Sequence, residues 1–194
     1  QVNSVDAAQI YAYSTGLRIE AFSTNPMLFY TNNTERARID SSGNVGIGLT
    51  PVANNGILQL NSYASVQAMM EKATVSATAA TGTINYDVTT QSVLYYTTNA
   101  SGNWTLNIRG NSGTTLNNSM VTGQSLTIAF LATQGSTAYY QSALTIDGSS
   151  VTPKWQGGTA PTAGNASSID SYVLTVIKTG SATFTVLASQ TKFA

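Results

Sequence analysis

The chain has 194 residues and a formal net charge of zero, and 8% of its residues are charged whereas 42% are hydrophobic. The charged fraction is far below the ~25% of ordinary globular domains, while the apolar content argues against simple disorder. The sequence contains no cysteine and no histidine, which excludes disulfides, thiolate metal sites and the commonest general base.

Charge and hydropathy also exclude two classes of partner. The densest basic pair, Arg36 and Arg38, is flanked by acidic residues, so we expect no nucleic-acid binding, which depends on basic patches. No apolar run approaches the ~20 residues of a membrane span, so we expect no membrane insertion. The chain begins with Gln1 and shows no signal peptide, and we interpret it as a piece of a longer protein or a processed product.

Residues 1–61 alternate apolar and polar positions in short segments that are separated by turn signals. This pattern predicts β-strands. The clearest unit is residues 35–49, in which Ala37 and Ile39 share one strand face. The segment 41–44 (SSGN) follows and predicts a tight turn with Gly43 at positive φ.

Beyond this turn, glycine alternates with larger apolar residues, at Gly46 and Gly48. A strand face made of glycine has nothing to pack unless another backbone comes very close. We therefore predict that residues 1–61 form a trimeric β-prism-like stalk in which several chains share one apolar axis. The alternative is a small β-meander that packs on the second domain.

The stretch 38–48 (RIDSSGNVGIG) resembles a motif of bacteriophage tail fibres and related virion fibres, where it precedes a C-terminal tip domain. The resemblance extends to residues 26–34 (PMLFYTNNT), 152–158 (TPKWQGG) and 188–194 (ASQTKFA). Its type is that of marine and cyanobacterial phages. The resemblance implies an extracellular fibre of the virion, with other virion proteins as partners.

Residues 62–73 show a change of period. Ser65 is a suitable N-cap. The apolar residues that follow it at helical spacing are Val66, Met69, Met70 and Ala73. The pattern predicts a short amphipathic helix, and three copies would bury their methionine faces around a threefold axis. The alternative is a helix that caps the C-terminal domain.

Residues 74–194 form several short alternating segments separated by turn signals, which predicts about eight to ten strands. Trp104, for example, begins a run in which every second residue is apolar. The run 173–177 (VLTVI) is almost continuously apolar and predicts a central strand. We expect an antiparallel, jelly-roll-like β-sandwich that forms the C-terminal tip.

Aromatic residues mark the candidate receptor-binding surface. The candidate residues are Lys154, Trp155, Gln156, Tyr95, Tyr96, Tyr139 and Tyr140. Trp155 lies in a segment bounded by proline and glycine, which predicts an exposed loop, and each tyrosine pair would place one ring on either face of a strand. Exposed rings beside amide and hydroxyl groups suit a host cell-surface glycan. The alternative is that these rings fill the seams between subunits.

Three carboxylates in the predicted tip, Asp87, Asp147 and Asp170, would permit glycosidase-like chemistry if two of them met in space. Asp147 precedes Gly148, however, and this pair predicts a hairpin turn. The carboxylates also lack the spacing of a calcium loop. We therefore predict no catalytic residue, no metal site and no cofactor.

These patterns together predict an all-β homotrimer with a stalk over residues 1–61, a helical neck over 62–73 and a tip over 74–194. The tip would adsorb to a host glycan, and several weak sites per virion would add up to firm attachment. The first alternative is a purely structural neck, head or baseplate fibre without receptor binding. The next is a polysaccharide depolymerase, although the chain lacks long solenoid repeats.

Overall fold

The computed structural model describes residues 8–13, 16–21, 24–51, 58–61 and 67–194. In these ranges the protein consists of β-strands with one short α-helix and one 3-10 turn, so the all-β prediction is confirmed. Contacts between Cα atoms divide the chain into an N-terminal unit, Gln1–Ala68, and a C-terminal unit, Met69–Ala194. No helix in the described ranges is long and apolar enough to span a membrane.

The strands of the N-terminal unit form a hairpin and a separate sheet. Their bounds are β1 Ala8–Tyr13, β2 Gly16–Ala21, β3 Met27–Thr31, β4 Thr34–Ile39, β5 Val45–Ile47 and β6 Leu58–Leu60. β1 and β2 pair with each other, and the other strands form the N-terminal sheet in the order β3-β4-β5-β6. β3, β4 and β5 are antiparallel neighbours, whereas β6 runs parallel to β5.

The strand–turn–strand unit predicted for residues 35–49 is confirmed as β4 and β5. Asp40 shapes the turn because its Oδ1 atom accepts hydrogen bonds from the backbone N–H groups of Ser42 (2.9 Å) and Asn44 (2.8 Å). The side-chain amide of Asn44, which donates to Oδ2 of Asp40 at 2.9 Å, and then these backbone bonds lower the pKa of the Asp40 carboxyl. Gly43 takes the expected positive φ of 83°. The turn signal at residues 54–56 lies outside the described residues.

The alternating glycines, which were predicted to allow close contact with other chains, have a different explanation in the structure. Gly46 is buried, and a Cβ atom on it would lie 2.8 Å from the Cδ atom of Pro51 and against the carbonyl of Leu49. Gly48 has a φ of +74°, a conformation that favours glycine. The backbone that approaches Gly46 therefore belongs to the same chain, and the glycines are explained without further chains.

One face of the N-terminal sheet is apolar. The cross-strand register aligns two rows of side chains on this face: Met27, Ile39, Val45 and Leu58, and next to them Phe29, Ala37, Ile47 and Leu60. Ile47 is 48% exposed in this position. On the opposite face the register aligns Leu28 with Arg38 and Gly46. One face is thus apolar while the other carries an arginine, as expected of a sheet that packs on one side only.

The predicted neck helix is wrong for the residues that can be described. Residues 62–66, which include Ser65 and Val66, lie outside the described residues. Residues 67–72 are irregular, and Ala73 already begins a strand. Met69 and Met70 are exposed. A helix of two turns is too short to be stable without packing, and the described part of the chain leaves both methionine side chains largely in solvent.

The C-terminal unit consists of two sheets. The bounds of its elements are β7 Ala73–Ala79, β8 Gly82–Asp87, β9 Val93–Thr98, β10 Trp104–Arg109, α1 Leu116–Ser119, β11 Ser125–Thr133, β12 Gln141–Ile146, β13 Ser149–Ser150, β14 Lys154–Trp155, the 3-10 turn Gln156–Gly158, β15 Ile169–Gly180 and β16 Thr183–Phe193. Sheet I has the order β13-β12-β10-β8, and sheet II has the order β14-β16-β15-β11-β9-β7.

The prediction of an antiparallel sandwich is wrong, because both sheets are mixed. β10 is parallel to β8 and β12, and β9 is parallel to β7 and β11. The cause is the path of the chain, since successive strands from β7 to β12 alternate between sheet II and sheet I. Each crossing reverses the direction of the chain, so strands that neighbour one another within a sheet run the same way. Within these two sheets, β15 is the one strand that has antiparallel partners on both sides.

Aromatic rings join the two sheets into one core. Trp104 of sheet I is 1% exposed, and its ring meets those of Phe130 and Tyr172 of sheet II edge to face at 5.7 and 5.5 Å. The hydroxyl of Tyr86 donates to the carbonyl of Ala129 across the same gap, at 3.4 Å. Such aromatic pairs stabilise a core beyond the area that they bury. Trp104, which begins the alternating run of β10, therefore lies at the centre of this core.

Loops 80–81, 99–103, 134–140 and 165–168 gather at one end of the sandwich, which we call the tyrosine end because it carries Tyr139 and Tyr140. Backbone hydrogen bonds hold these loops together. They run from Ala100 to Thr133, from Ser101 to Ala80, from Gln134 to Ser168 and from Ser167 to Gly135. The tyrosine end is therefore a connected loop surface supported by both sheets.

Candidate functional site

The structure places the predicted loop around Trp155 at the edge of sheet II. Lys154 and Trp155 form β14, which pairs in parallel with Leu187 and Ala188 of β16. The indole is half-buried and packs against the hydrophobic core. The expectation of an exposed tryptophan loop is therefore wrong, because a short strand pairing turns the ring inward.

A shallow groove of about 390 Å³ lies beside this strand. Its lining residues are Lys154, Trp155, Gln156, Val173, Thr175, Leu187, Ala188 and Ser189. The three predicted residues 154–156 thus line one depression. Its floor is formed by the outward side chains of β15 and β16, and the Lys154 ammonium is its one charged group.

Tyr95 and Tyr96 lie on opposite faces of β9, as the alternation predicts. Tyr96 faces the core, where its ring meets Phe130 edge to face at 5.3 Å, and burial raises the pKa of its hydroxyl. Tyr95 faces outward and is half-buried, and its hydroxyl accepts a hydrogen bond from Thr133 at 3.4 Å. Of the two rings, only that of Tyr95 lies on an accessible face.

Tyr139 and Tyr140 precede β12 and do not lie on a strand, contrary to the prediction. The side chain of Gln134 holds Tyr139 at both backbone groups: Oε1 accepts from its N–H at 2.9 Å, and Nε2 donates to its carbonyl at 2.7 Å. The N–H of Tyr140 donates to Oδ1 of Asn103 at 3.1 Å. Both rings are half-buried at the tyrosine end.

The predicted residues therefore do not form one surface. β16, β15 and β11 lie between β14 and β9 in sheet II, which places Lys154 and Tyr95 about 19 Å apart across the sheet at ~4.8 Å per strand. Tyr95, Tyr139 and Tyr140, by contrast, are all linked to residues of the tyrosine end.

A larger cleft of about 540 Å³ opens at the tyrosine end. Its lining residues are Asn99, Thr133, Gln134, Gly135, Ser136, Ser167, Ser168, Ile169, Phe193 and Ala194. Six of these ten residues carry a hydroxyl or an amide group, and the ring of Phe193 is 54% exposed beside them. Sequence reasoning missed the cleft because its residues come from four separate segments, and no local spacing brings them together.

A buried carboxylate supports the wall of this cleft. The Oδ2 atom of Asp170 accepts hydrogen bonds from Nε2 of Gln134 and from the N–H of Asn165, both at 3.0 Å. Its Oδ1 atom is buried without a partner among the described residues. Burial raises the pKa of this carboxyl above its usual range.

The other two carboxylates considered for catalysis lie elsewhere. Asp87 forms an ion pair with Arg109 at 2.6 Å on the outer face of sheet I. Asp147 lies in the turn between β12 and β13 and accepts hydrogen bonds from the first N–H groups of α1, those of Leu116 (2.6 Å) and Asn117 (3.0 Å). These contacts give both carboxylates a structural role, and among the described residues no group of three acidic side chains is arranged to hold a metal.

The candidate surfaces are therefore the cleft at the tyrosine end and the groove beside β14. The cleft joins hydroxyls, amides and one exposed ring, whereas the groove joins an apolar floor with one cation. Comparison with protein-family models, with curated protein sequences and with solved structures gives no match for this chain.

Proposed function

We propose that this chain belongs to a bacteriophage virion fibre, that it assembles as a homotrimer, and that its C-terminal unit binds a host cell-surface glycan. Other virion proteins are its further partners. The observation that carries the proposal is the cleft at the tyrosine end, supported by two coupled sheets and lined by the groups that sugars need. The resemblance of residues 38–48 to virion fibres supports the same assignment.

The apolar face of the N-terminal sheet supports the assembly part of this proposal. A sheet with one apolar face needs a second layer to cover it. Three copies arranged around an axis would cover all three faces at once, with Ile47 and Phe29 directed inward. The same arrangement keeps Arg38 on the solvent side, where its ion pair with Glu35 stays hydrated.

The chemistry of the cleft supports the recognition part. An aromatic ring covers the apolar face of a sugar, while amides and hydroxyls exchange hydrogen bonds with its hydroxyl groups. Phe193 supplies the ring, and Asn99 and Ser136 are exposed polar neighbours. Three clefts per fibre would raise a weak affinity through effective concentration.

The test is adsorption of labelled full-length chains to host cells and to extracted surface polysaccharide. Phe193→Ala should weaken binding about two- to tenfold per site, which corresponds to the ~0.5–1.5 kcal/mol of a ring contact. Val121→Ala is the matched control, because Val121 is also an exposed apolar residue but lies away from the cleft. Lys154→Ala probes the groove beside β14.

Equal adsorption of Phe193→Ala and wild-type chains would exclude the cleft, and a selective loss with Lys154→Ala would move the site to the groove. The structural fibre is the second candidate function, because the floor of that groove belongs to an apolar sheet face of the kind that lies between subunits. The structural fibre becomes the better assignment if wild-type chains bind no host surface.

A further inference from the structure

The outward face of sheet II combines apolar and hydroxyl side chains and is almost free of charge, whereas a sheet that faces solvent usually carries charged and amide groups. Leu174 and Val176 of β15 are buried in the core. Val173, which precedes Leu174, points to the other side of the sheet and is 36% exposed. Leu187 of the neighbouring strand is 47% exposed on the same side. The almost continuous apolar run 173–177 is typical of a strand that is buried on both faces, and within the C-terminal unit only one of its faces is covered.

The register extends this face across five strands. The outward apolar residues are Val75 on β7, Val93 and Tyr95 on β9, Ala129 and Leu131 on β11, Ile169, Val173 and Ile177 on β15, and Leu187 and Phe193 on β16. Small hydroxyl residues fill the positions between them, as where the hydroxyls of Thr127 and Thr175 meet at 3.1 Å. Lys154, at the edge, is the charged residue of this outer face.

Sheet I provides an internal comparison. Its outward positions carry a ladder of polar contacts: Asn107 donates to Asn85 and accepts from Thr145, each at 2.8 Å, and Arg109 pairs with Asp87. A row of charged and amide side chains of this kind is suited to permanent contact with water. The outer face of sheet I therefore has the character of a solvent-exposed surface, whereas the outer face of sheet II has the character of an interface.

The size and charge of the sheet II face favour copies of this chain as its cover. Five strands at ~4.8 Å and about eight residues at ~3.4 Å span roughly 650 Å², close to the ~800 Å² that each partner contributes to a standard interface. The face bears no carboxylate and a cation only at its margin, so it offers no charge pattern for an oppositely charged partner. A neutral apolar face is complementary to itself.

We propose that the outer face of sheet II packs against neighbouring copies of this chain. The inference rests on the proposed homotrimer and adds to it a second interface, in the C-terminal unit. It also makes the groove beside β14 part of a subunit seam, since Val173 and Leu187 form its floor. The face ends at Ile169 and Phe193, which also line the cleft at the tyrosine end, so the cleft opens at the margin of this interface as the surface for the receptor.

Thiol labelling tests this directly, because the chain contains no cysteine and an introduced cysteine is the only thiol. Leu187→Cys reports on the outer face of sheet II, and Ala143→Cys, exposed on the outer face of sheet I, is the matched control. In a single chain both positions are exposed and should react with a maleimide at similar rates. In the assembled chain we expect Leu187→Cys to react at least tenfold more slowly, while light scattering gives three times the monomer mass.

Equal labelling rates in an assembly of three chains would overturn this interface and leave the homotrimer intact. A monomeric wild-type chain at ~100 µM would overturn both. If Leu187→Cys lowers the midpoint of thermal unfolding, Val173→Cys replaces it as the reporter on the same face. Phe193 lies where this face meets the cleft, so the mass of Phe193→Ala chains is measured beside their adsorption. Loss of binding by an assembly of three chains is a failure of glycan recognition, whereas loss of binding by a monomer is a failure of assembly.

Discussion

Gln134 donates its side-chain amide to the buried carboxylate of Asp170 at 3.0 Å, at the tyrosine end of the sandwich. The same amide group also donates to the carbonyl of Tyr139 at 2.7 Å. One side chain thus connects the lining of the cleft, the loop that carries the tyrosines and a titratable group in the interior. The protonation state of Asp170 is therefore coupled to the stability of this end of the C-terminal unit.

This coupling predicts that mild acid stabilises the C-terminal unit through Asp170. Burial raises the pKa of its carboxyl, and the hydrogen bonds of Asn165 and Gln134 with the charge of Lys192 offset the shift only in part. In the unfolded chain the carboxyl titrates near ~3.9. Because the folded pKa is the higher one, the stabilisation is complete below the unfolded pKa and is lost as the pH rises through the folded pKa.

The measurement is the free energy of unfolding between about pH 3 and pH 7 for the wild-type chain and for Asp170→Asn. Half-buried carboxyls of the N-terminal unit with lowered pKa values, those of Glu35 and Asp40, give the opposite slope, and both the wild type and Asp170→Asn contain them. The difference between the two curves isolates Asp170. A difference that does not change with pH would show that this carboxyl has the same pKa in both states.

Gly164 is predicted to be essential for the packing around Asp170. A Cβ atom at this position would lie 2.6 Å from Oδ2 of Asp170 and 2.9 Å from Nε2 of Gln134, and against the carbonyl of Tyr139. Gly164→Ala should therefore lower the free energy of unfolding by roughly 1–3 kcal/mol, the cost of overpacking a filled site. Gly113→Ala is the control, since its Cβ would meet Oδ1 of Asn111 at an ordinary 3.6 Å. Equal denaturation midpoints for the two variants would contradict this packing.

The two tryptophans should differ in what they contribute to stability. Trp104 is enclosed between the sheets, and Trp104→Ala should lower the free energy of unfolding by roughly 3–5 kcal/mol. Trp155 is half-buried on an edge strand of two residues, so Trp155→Ala should cost clearly less. Denaturant titration of both variants gives the comparison, and similar losses would mean that β14 belongs to the core.

Alternation along the chain predicted which side chains face the core but not which strands are neighbours. Trp104 and Tyr96 lie on the inner faces, as their period of two requires. The direction of pairing has no such local signal, because it depends on successive strands crossing between sheets. The cleft was not predictable for the same reason: Asn99 and Phe193 meet only after the sandwich has formed.

At Met69 and Met70, by contrast, a clear local pattern led to a wrong prediction. The spacing of these methionines fits a helix, but in a segment this short the tertiary contacts, rather than the spacing of apolar residues, decide the conformation.

For Gly46 the predicted close contact was correct, but its source differs from the predicted one. The expected close approach of a backbone to this glycine exists, and it comes from Leu49 and Pro51 of the same chain.

The apolar face of the N-terminal sheet predicts that assembly depends on which side of this sheet receives a charge. Ile47 and Leu28 are comparably exposed, at 48% and 40%, but the strand register places them on opposite faces. Ile47→Asp would bring a carboxylate from each chain into an apolar interface, where an unpaired charge is strongly unfavourable. Leu28→Asp would instead place its carboxylate in the cross-strand position next to Arg38, on the other side. Light scattering over a dilution series should therefore show that Ile47→Asp dissociates to monomers at a higher chain concentration than Leu28→Asp and the wild type, because only the interface of sheet II still holds its copies together. If both variants dissociated at the same concentration as the wild type, the apolar face would not be a surface through which the copies associate, and if Leu28→Asp alone dissociated more readily, the stalk would be built on the opposite face of the sheet.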